Sequence, residues 1–379
     1  MFSYWEQQSF SFYDHIVIGA GIVGLNAAIE LKQLYPKARV LVLERGILPS
    51  GASTRNAGFA CMGSASELLD DLSTTSAAEV VSLYAARKTG LIKLRERLGD
   101  NHIGYRCNGS HELISEAQLP VLEQIDMLNE MLLPVTGIPA FRRADERIRQ
   151  FGFAGIYSHA LIENTCEGEI HTGMMMRSLT DRAIAAGVEI KTGAEVIGFD
   201  EQAEAVTVFV ADNIRDGKWQ LKCHTLSVCT NAFSKSLLPH EDIKPGRGQI
   251  LITEPIKGLK IKGIFHFDKG YYYFREIDNR ILFGGGRNLD FNGENTTDLN
   301  LSDIIQQDLE NKLRQTILPG MEYKIAQRWS GIMGFGTTRH PIVKSISDRV
   351  FGAFRMGGMG VALGSNAASH MVQLITEKQ

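Results

Sequence analysis

The chain is poor in cysteine, with five in 379 residues, and no two of them form a C-x-x-C pair. That odd, sparse count argues against a disulfide framework and a zinc site, and it fits a reducing compartment. Neither charge is in excess: 40 Lys and Arg face 43 Asp and Glu, for a net charge of −3. Such a balance gives no bulk electrostatic hold on a nucleic acid or an anionic membrane. Long apolar runs are missing too. The longest near the start, from His15 to Val23, is far too short to cross a bilayer, so no integral membrane segment is expected. The opening MFSYWEQQSFSFYDH carries two acids and no basic stretch, unlike a secretory signal. No internal repeat, low-complexity tract or metal-ligand cluster stands out. The expectation is a soluble, cytoplasmic protein without a metal.

What is present is an ordinary globular composition, 44% hydrophobic and 22% charged. The length predicts two or three domains. Ile16-Val17-Ile18 reads as a buried strand, and Gly19-Ala20-Gly21-Ile22-Val23-Gly24 follows it. Leu25, Ala28, Leu31 and Leu34 then fall at helical spacing until Pro36, and Val40-Leu41-Val42-Leu43 leads to Glu44. A G-x-G-x-x-G turn between strand and helix, with an acid closing the next strand, is the dinucleotide-binding arrangement. Gly19 permits the tight turn, Gly21 lets backbone approach a pyrophosphate, and Gly24 lets helix pack on strand. The helix N-terminus offers free N–H groups and a positive dipole end to phosphates. Glu44 suits a ribose 2′-hydroxyl. The plain alternative is a glycine turn that only packs.

Two further segments bear on the cofactor. Gly357-Gly358-Met359-Gly360 opens a last helix, Val361 to Ile375. A helix N-terminus stabilises negative charge, which a reduced flavin gains at its N1–C2=O edge; the alternative is a simple helix cap. Gly51 to Phe59 mixes small residues with donors, as a loop lying against a cofactor or an ordinary surface turn would. Helices are predicted over 66–98 and 172–186. Strands are predicted within 188–210 and at 226–229, 250–253, 271–275 and 281–283. The stretch 102–165 reads as mixed and loop-rich. A nucleotide-type unit at one end and a glycine turn at the other predict one domain assembled from both ends, with another inserted.

Together VIGAGIVGLNAAIEL, LERG, GASTRNAGF, EGEIHTGMMMRSL, VCTNAF, RGQILITEP, YYYFREIDNRILFGGG and RMGGMGVALGS resemble the FAD-dependent family of D-amino-acid oxidase, glycine oxidase and sarcosine oxidase. The S-x-R-N-x-G variant is most similar to the branch that oxidises amines such as gamma-glutamylputrescine. The resemblance implies an α/β fold: a Rossmann-like FAD-binding domain of glutathione-reductase type with an inserted α+β substrate domain on a mostly antiparallel sheet. The implied FAD-binding parts are 1–90, 160–240 and 330–379, and the substrate parts 91–159 and 241–329. It implies that Gly19, Gly21, Ile22, Val23 and Gly24 cradle the pyrophosphate and that Glu44 and Arg45 hold the adenosine. Ala52, Ser53, Thr54, Arg55, Asn56, Ala57, Gly58 and Phe59 would pass the ribityl chain and ring. Val196 would meet the adenine, Thr230, Asn231 and Ala232 would lie under the cofactor, and Gly357, Gly358, Met359, Gly360, Val361 and Ala362 would meet the ring edge.

Tyr272, Tyr273, Arg275, Met333 and Phe335 are the expected substrate pocket. The implied reaction is hydride transfer from the carbon of a C–N bond, in an amine or amino acid, to flavin N5, giving an imine that hydrolyses. No catalytic side chain is assigned. His171 and His266 read as structural, and Cys61 as a small buried hydrophobe. Trp329 to Gly336 lacks the family's carboxylate-clamping arginine, which favours an amine or an acid gripped elsewhere, with Arg275 in view. Arg280 to Gly284 lacks the lysine that activates oxygen in the sarcosine oxidase branch, so the acceptor is O2 or another oxidant. Gly334 to Pro341 lacks a cysteine, which points to non-covalent FAD. The other readings are a NAD-dependent dehydrogenase and an FAD-binding subunit without amine oxidation.

Overall fold

The computed structural model describes residues 3–212 and 217–378. Its first sheet is centred on parallel strands. Val40–Leu43 is buried at every position, as a strand covered on both faces must be. It pairs with Phe12–Ile18, which pairs with Gly217–Val228, which in turn pairs with Val350–Phe354, all parallel. Glu189–Lys191 extends one edge and Ile342–Ser345 the other. Helix Ile22–Leu34 is buried on almost every side, with Leu25, Ala28 and Leu31 inside and Leu34 outside.

The second sheet runs Ile325–Phe335, Lys244–Thr253, Arg280–Gly285, Tyr272–Ile277, Ile264–Phe267, Ser110–Ile114, Ala160–Asn164 and Phe141–Arg143. Every pairing in it is antiparallel except Ile264–Phe267 with Ser110–Ile114. Its core is aromatic. Phe265 stacks on its cross-strand partner Phe274 at 4.7 Å, and Phe267 on Tyr272 at 4.9 Å.

The division between units differs from the sequence reading in three places. Ala160–Asn164, expected with the cofactor unit, is an inner strand of the second sheet. Ile325–Phe335 crosses the expected boundary at 330 as one unbroken strand. Helix Ala77–Leu98 crosses the expected boundary at 90 and packs on the last helix, Gly360–Lys378. The contact is at Gly90, where a Cβ would lie 2.1 Å from the Ala362 carbonyl oxygen. The stretch 102–165 also holds more order than expected, with three strands and helix Ile125–Thr136. Its short strands lie among Pro, Gly and polar residues that mask a period-two pattern.

One register places the site. Ile18 pairs with Val228, and Val228 with Gly352. Three neighbouring parallel strands therefore end level, and each feeds a turn at the carboxyl edge of the sheet, where open α/β sheets bind ligands. The first and last of these turns stand two strand spacings apart, roughly 10 Å.

Candidate active site

The first turn is made by contacts only glycine allows. Gly19 has φ +101° and its N–H donates to the Leu43 carbonyl at 2.8 Å. A Cβ on Gly24 would lie 1.9 Å from the Gly19 carbonyl oxygen, so helix and strand approach to backbone contact. A Cβ on Gly21 would lie 2.8 Å from Ser53 Oγ, which accepts a hydrogen bond from the Ile22 N–H at 3.0 Å. The 51–59 loop is thereby fastened to the start of the first helix. Glu44 is buried and accepts from the Ala20 N–H at 3.0 Å and the Gly46 N–H at 2.9 Å. Arg45 lies over the Phe233 ring at 3.7 Å.

The last turn is held from three sides. The Gly357 N–H donates to the Gly334 carbonyl at 3.0 Å, and the Met356 N–H to Asn231 Oδ1 at 3.1 Å. Arg355 is buried with φ +63°, a conformation its Asp242 partner at 2.6 Å and the His340 carbonyl at 2.9 Å keep in place. Gly357 and Gly358 follow at φ +56° and +84°, and helix Gly360–Lys378 starts there.

A cavity of about 660 Å3 runs between these turns. At one end it is lined by Gly19, Gly21, Ile22, Val23, Glu44, Arg45 and Val196. It passes Ala52, Ser53, Arg55, Asn56, Ala57, Phe59, Thr230 and Asn231 and reaches Gly357, Gly358, Met359, Gly360, Val361 and Ala362. Tyr273, Met333 and Phe335 line the far end.

Six expected residues do not line it. Gly24 packs helix on strand, and Thr54 points outward to the Pro49 and Gly51 carbonyls. Gly58, at φ +77°, lies behind the loop against Ile170 and Arg275, and Ala232 is buried beside Gly334. Tyr272 faces away from the cavity, since neighbours on a strand point to opposite sides. It sits in the aromatic core with its hydroxyl donating to Asp308 at 2.8 Å. Arg275 shares the face of Tyr273 yet is buried, paired with Glu169 at 3.1 Å and donating to the Gly58 and Ile170 carbonyls at 2.9 and 2.7 Å. It ties the loop to the strand before helix Thr172–Ala185 and is closed to substrate. Of the loop side chains, Arg55 also serves the fold: it donates to the Ser330 carbonyl at 2.9 Å while its own carbonyl accepts from Trp329 at 3.0 Å.

His171 caps helix Thr172–Ala185, accepting from the Met174 N–H at 3.1 Å. His266 differs from that structural reading. It lines the cavity edge-on to Phe59, 5.1 Å between centroids, and its buried Nε2 meets no partner among the described residues. Burial holds its pKa below the usual value, so the ring is neutral. Arg287, which sequence reasoning missed, lines the same end, as do Tyr271 and Phe291. Its only sequence signal is a position just beyond the strand-ending Gly284-Gly285-Gly286. At the rim, Lys269 and Arg339 pair with Asp70 at 2.8 and 3.3 Å.

Behind the cavity two buried acids tie the halves together. Glu112, on the second sheet, accepts from Ser64 Oγ and the Ser66 N–H, both at 3.1 Å. Glu167 accepts from the Met62 and Gly63 N–H groups. Burial raises both carboxyls to about 7.

The comparisons agree with this architecture. The probable oxidoreductase OrdL of Haemophilus influenzae is 23% identical over 367 residues, covering 92% of this chain and 80% of its own length. The mitochondrial L-2-hydroxyglutarate dehydrogenase of Nematostella vectensis is 24% identical, covering 84% of this chain and 72% of its own. The crystal structure of glycine oxidase from Geobacillus kaustophilus superimposes with a TM-score of 0.77 at 19% identity, over 97% of this chain and 96% of that one. The family profile described as DAO, FAD dependent oxidoreductase, matches residues 14–374. With a glycine turn at each end of one cavity and that match along nearly its whole length, the chain belongs to the DAO family of FAD-dependent oxidoreductases, and the nicotinamide-dependent reading falls away.

Proposed function

We propose that the chain binds FAD non-covalently along this cavity and oxidises a C–N bond of an amine or amino acid. One observation carries the reading: a single cavity joins the turn at Gly21 to the turn at Gly358, whose strands have a single strand between them. The residues fit the cofactor. Gly21 leaves room for a phosphate beside the start of helix Ile22–Leu34, whose free N–H groups favour anions. Glu44 and Val196 stand at the adenosine end. When bound, the flavin ring supplies the hydride acceptor, at N5.

The chain's own groups supply the surroundings. The N-terminus of helix Gly360–Lys378 points positive dipole into the cavity, where it would favour negative charge on a flavin held beside Gly357 to Ala362. Phe59, Tyr273, Met333 and Phe335 make an apolar patch that disfavours an ammonium and so favours the neutral amine. Neutral His266 can donate or accept there through Nε2. Cys61 and Cys229 also line the cavity, but burial raises the Cys61 thiol well above its ordinary value and Cys229 to about 12. Neither thiol favours the thiolate a covalent link would need, which supports loose FAD. Exposed, unpaired Cys107 suits a reducing cytoplasm.

The test is the visible spectrum of the purified protein, followed by an amine and amino-acid panel without air, with 2-hydroxy acids alongside. A yellow protein bleached by an amine supports the proposal, and readmitting air then separates O2 from another acceptor. A colourless protein, bleaching by hydroxy acids alone, or a yellow protein that no amine bleaches overturns it; the last result favours a binding subunit.

A further inference from the structure

We propose that ligands enter the cavity through a charged clasp at its rim, where Asp70 holds the Lys269 hairpin tip and the Arg339 crossover together, and that breaking these ion pairs opens the way in. This takes the cavity as the ligand site of the function proposed above and adds its entrance.

The clasp joins three separate parts of the chain. Asp70 stands near the end of helix Ala65–Leu72. Lys269 is at the tip between strands Ile264–Phe267 and Tyr272–Ile277. Arg339 is in the crossover that leads from Ile325–Phe335 in the second sheet to Ile342–Ser345 in the first. Asp70 takes Lys269 Nζ at 2.8 Å on one carboxylate oxygen and Arg339 Nη2 at 3.3 Å on the other, and Asp71 takes Arg339 Nε at 2.5 Å. Among the described residues no hydrogen bond runs from the tip straight to the crossover, so this helix end is what they share. The tip also rests on the same helix about one turn earlier, since a Cβ on Gly270 would collide with Glu67 Oε1.

The clasp stands at an opening. Asp70, Lys269 and Arg339 all line the cavity, yet their side chains are 40%, 51% and 51% exposed, so each has one side inside and one in water. The crossover also passes the last turn: a Cβ on Gly357 would lie 3.7 Å from the Arg339 carbonyl oxygen. Exposure separates these pairs from two others of the second sheet. Arg247 with Glu294 and Arg275 with Glu169 are buried on both sides, and breaking either would leave an uncompensated buried charge. An ion pair standing in water is weak, because water and salt replace what it loses. Asp71 is the buried member of the clasp, so the Arg339 side is the firmer and the Lys269 tip parts first.

The experiment uses the purified holoprotein and two uncharged quenchers of flavin fluorescence, acrylamide and a bulkier neutral nitroxide, so that salt acts on the protein and not on the probe. Raising KCl from about 0.02 M to about 0.5 M should speed nitroxide quenching about threefold or more in the wild-type chain, and acrylamide quenching less. Asp70→Asn should quench at the faster rate already in low salt and lose the salt response. Lys269→Gln should do nearly the same, since it frees the tip while the Arg339 pairs remain. Flavin absorbance of each variant reports folding. Quenching that ignores both salt and Asp70→Asn would put the way in elsewhere and overturn the inference, while leaving the proposed function standing. If the protein carries no flavin, the proposed function fails, and amide hydrogen exchange decides this one. Residues 65–72, 268–271 and 336–340 should then exchange faster together in Asp70→Asn than in the wild-type chain, and unchanged exchange overturns the clasp.

Discussion

One wall of the cavity is backbone and the other is side chain. Along 19–24 and 357–360 the surface comes from left-handed turns and from helices pressed onto neighbouring backbone, as at Gly24. Across from it, Tyr273, Met333, Phe335 and His266 project from the second sheet, and Arg287 from the turn just after strand Arg280–Gly285. A backbone wall depends on residues next to each other in the chain, and few residue types can replace them. A side-chain wall depends on strand facing and on which partner each group finds, as Arg275 and Arg287 demonstrate: one is closed by Glu169, the other open to the cavity.

The sharpest way to break the backbone wall is Gly24→Ala. With its Cβ placed 1.9 Å from a carbonyl oxygen, helix and strand must separate. The expected cost is about 3 kcal/mol or more, read as a lower melting temperature with loss of bound flavin. Normal flavin content and melting would contradict that close packing.

Arg275→Met tests the closed arginine. It leaves buried Glu169 with the longer ion pair to exposed Arg106 at 3.9 Å, at an expected cost of about 3 kcal/mol. Substrate preference should not move in whatever protein remains folded. A changed preference with unchanged stability would return Arg275 to the pocket.

Glu112 gives a pH-dependent contrast between the halves it joins. Its folded carboxyl titrates near 7, above its ordinary value near 4.5. Between those values the folded chain keeps a proton that the unfolded chain releases, so stability falls as pH rises. Relative to Glu112→Gln, the wild-type chain should lose about 1 to 3 kcal/mol from pH 5 to pH 8. Denaturant titrations at both pH values measure it, and the absence of any relative loss would show that the folded acid is ionised throughout.

The smallest effect is expected from Tyr272→Phe. It removes one hydrogen bond to Asp308, which Lys312 still pairs at 2.6 Å. About 1 kcal/mol of stability should go, with flavin reduction rates unchanged; a slowed rate would mean that this ring reaches the substrate.

The cofactor end was largely legible because each of its signals is local. Gly19, Gly21 and Gly24 stand at fixed spacing, and Glu44 closes the next strand. Pocket residues on strand Tyr272–Ile277 were legible only as a pair of adjacent tyrosines. Which one looks inward follows from the stacking of Tyr272 on Phe267, five residues away on another strand. His266 read as structural because a lone histidine carries no mark of an unpartnered nitrogen. Arg287 left no mark either, since its place at the cavity depends on what Phe335, Phe291 and Gly246 do around it.

From its residues alone the chain specifies a strand-turn-helix frame at one end and a turn-helix at the other, because positive φ and backbone contact exclude nearly every residue but glycine. Their meeting in one cavity depends on the parallel register of Ile18, Val228 and Gly352, strands brought together from opposite ends of the chain. The fate of each arginine was likewise a tertiary matter. A buried charge is held by whichever acid the fold brings to it, and folding brought Glu169 to Arg275 and no acid among the described residues to Arg287.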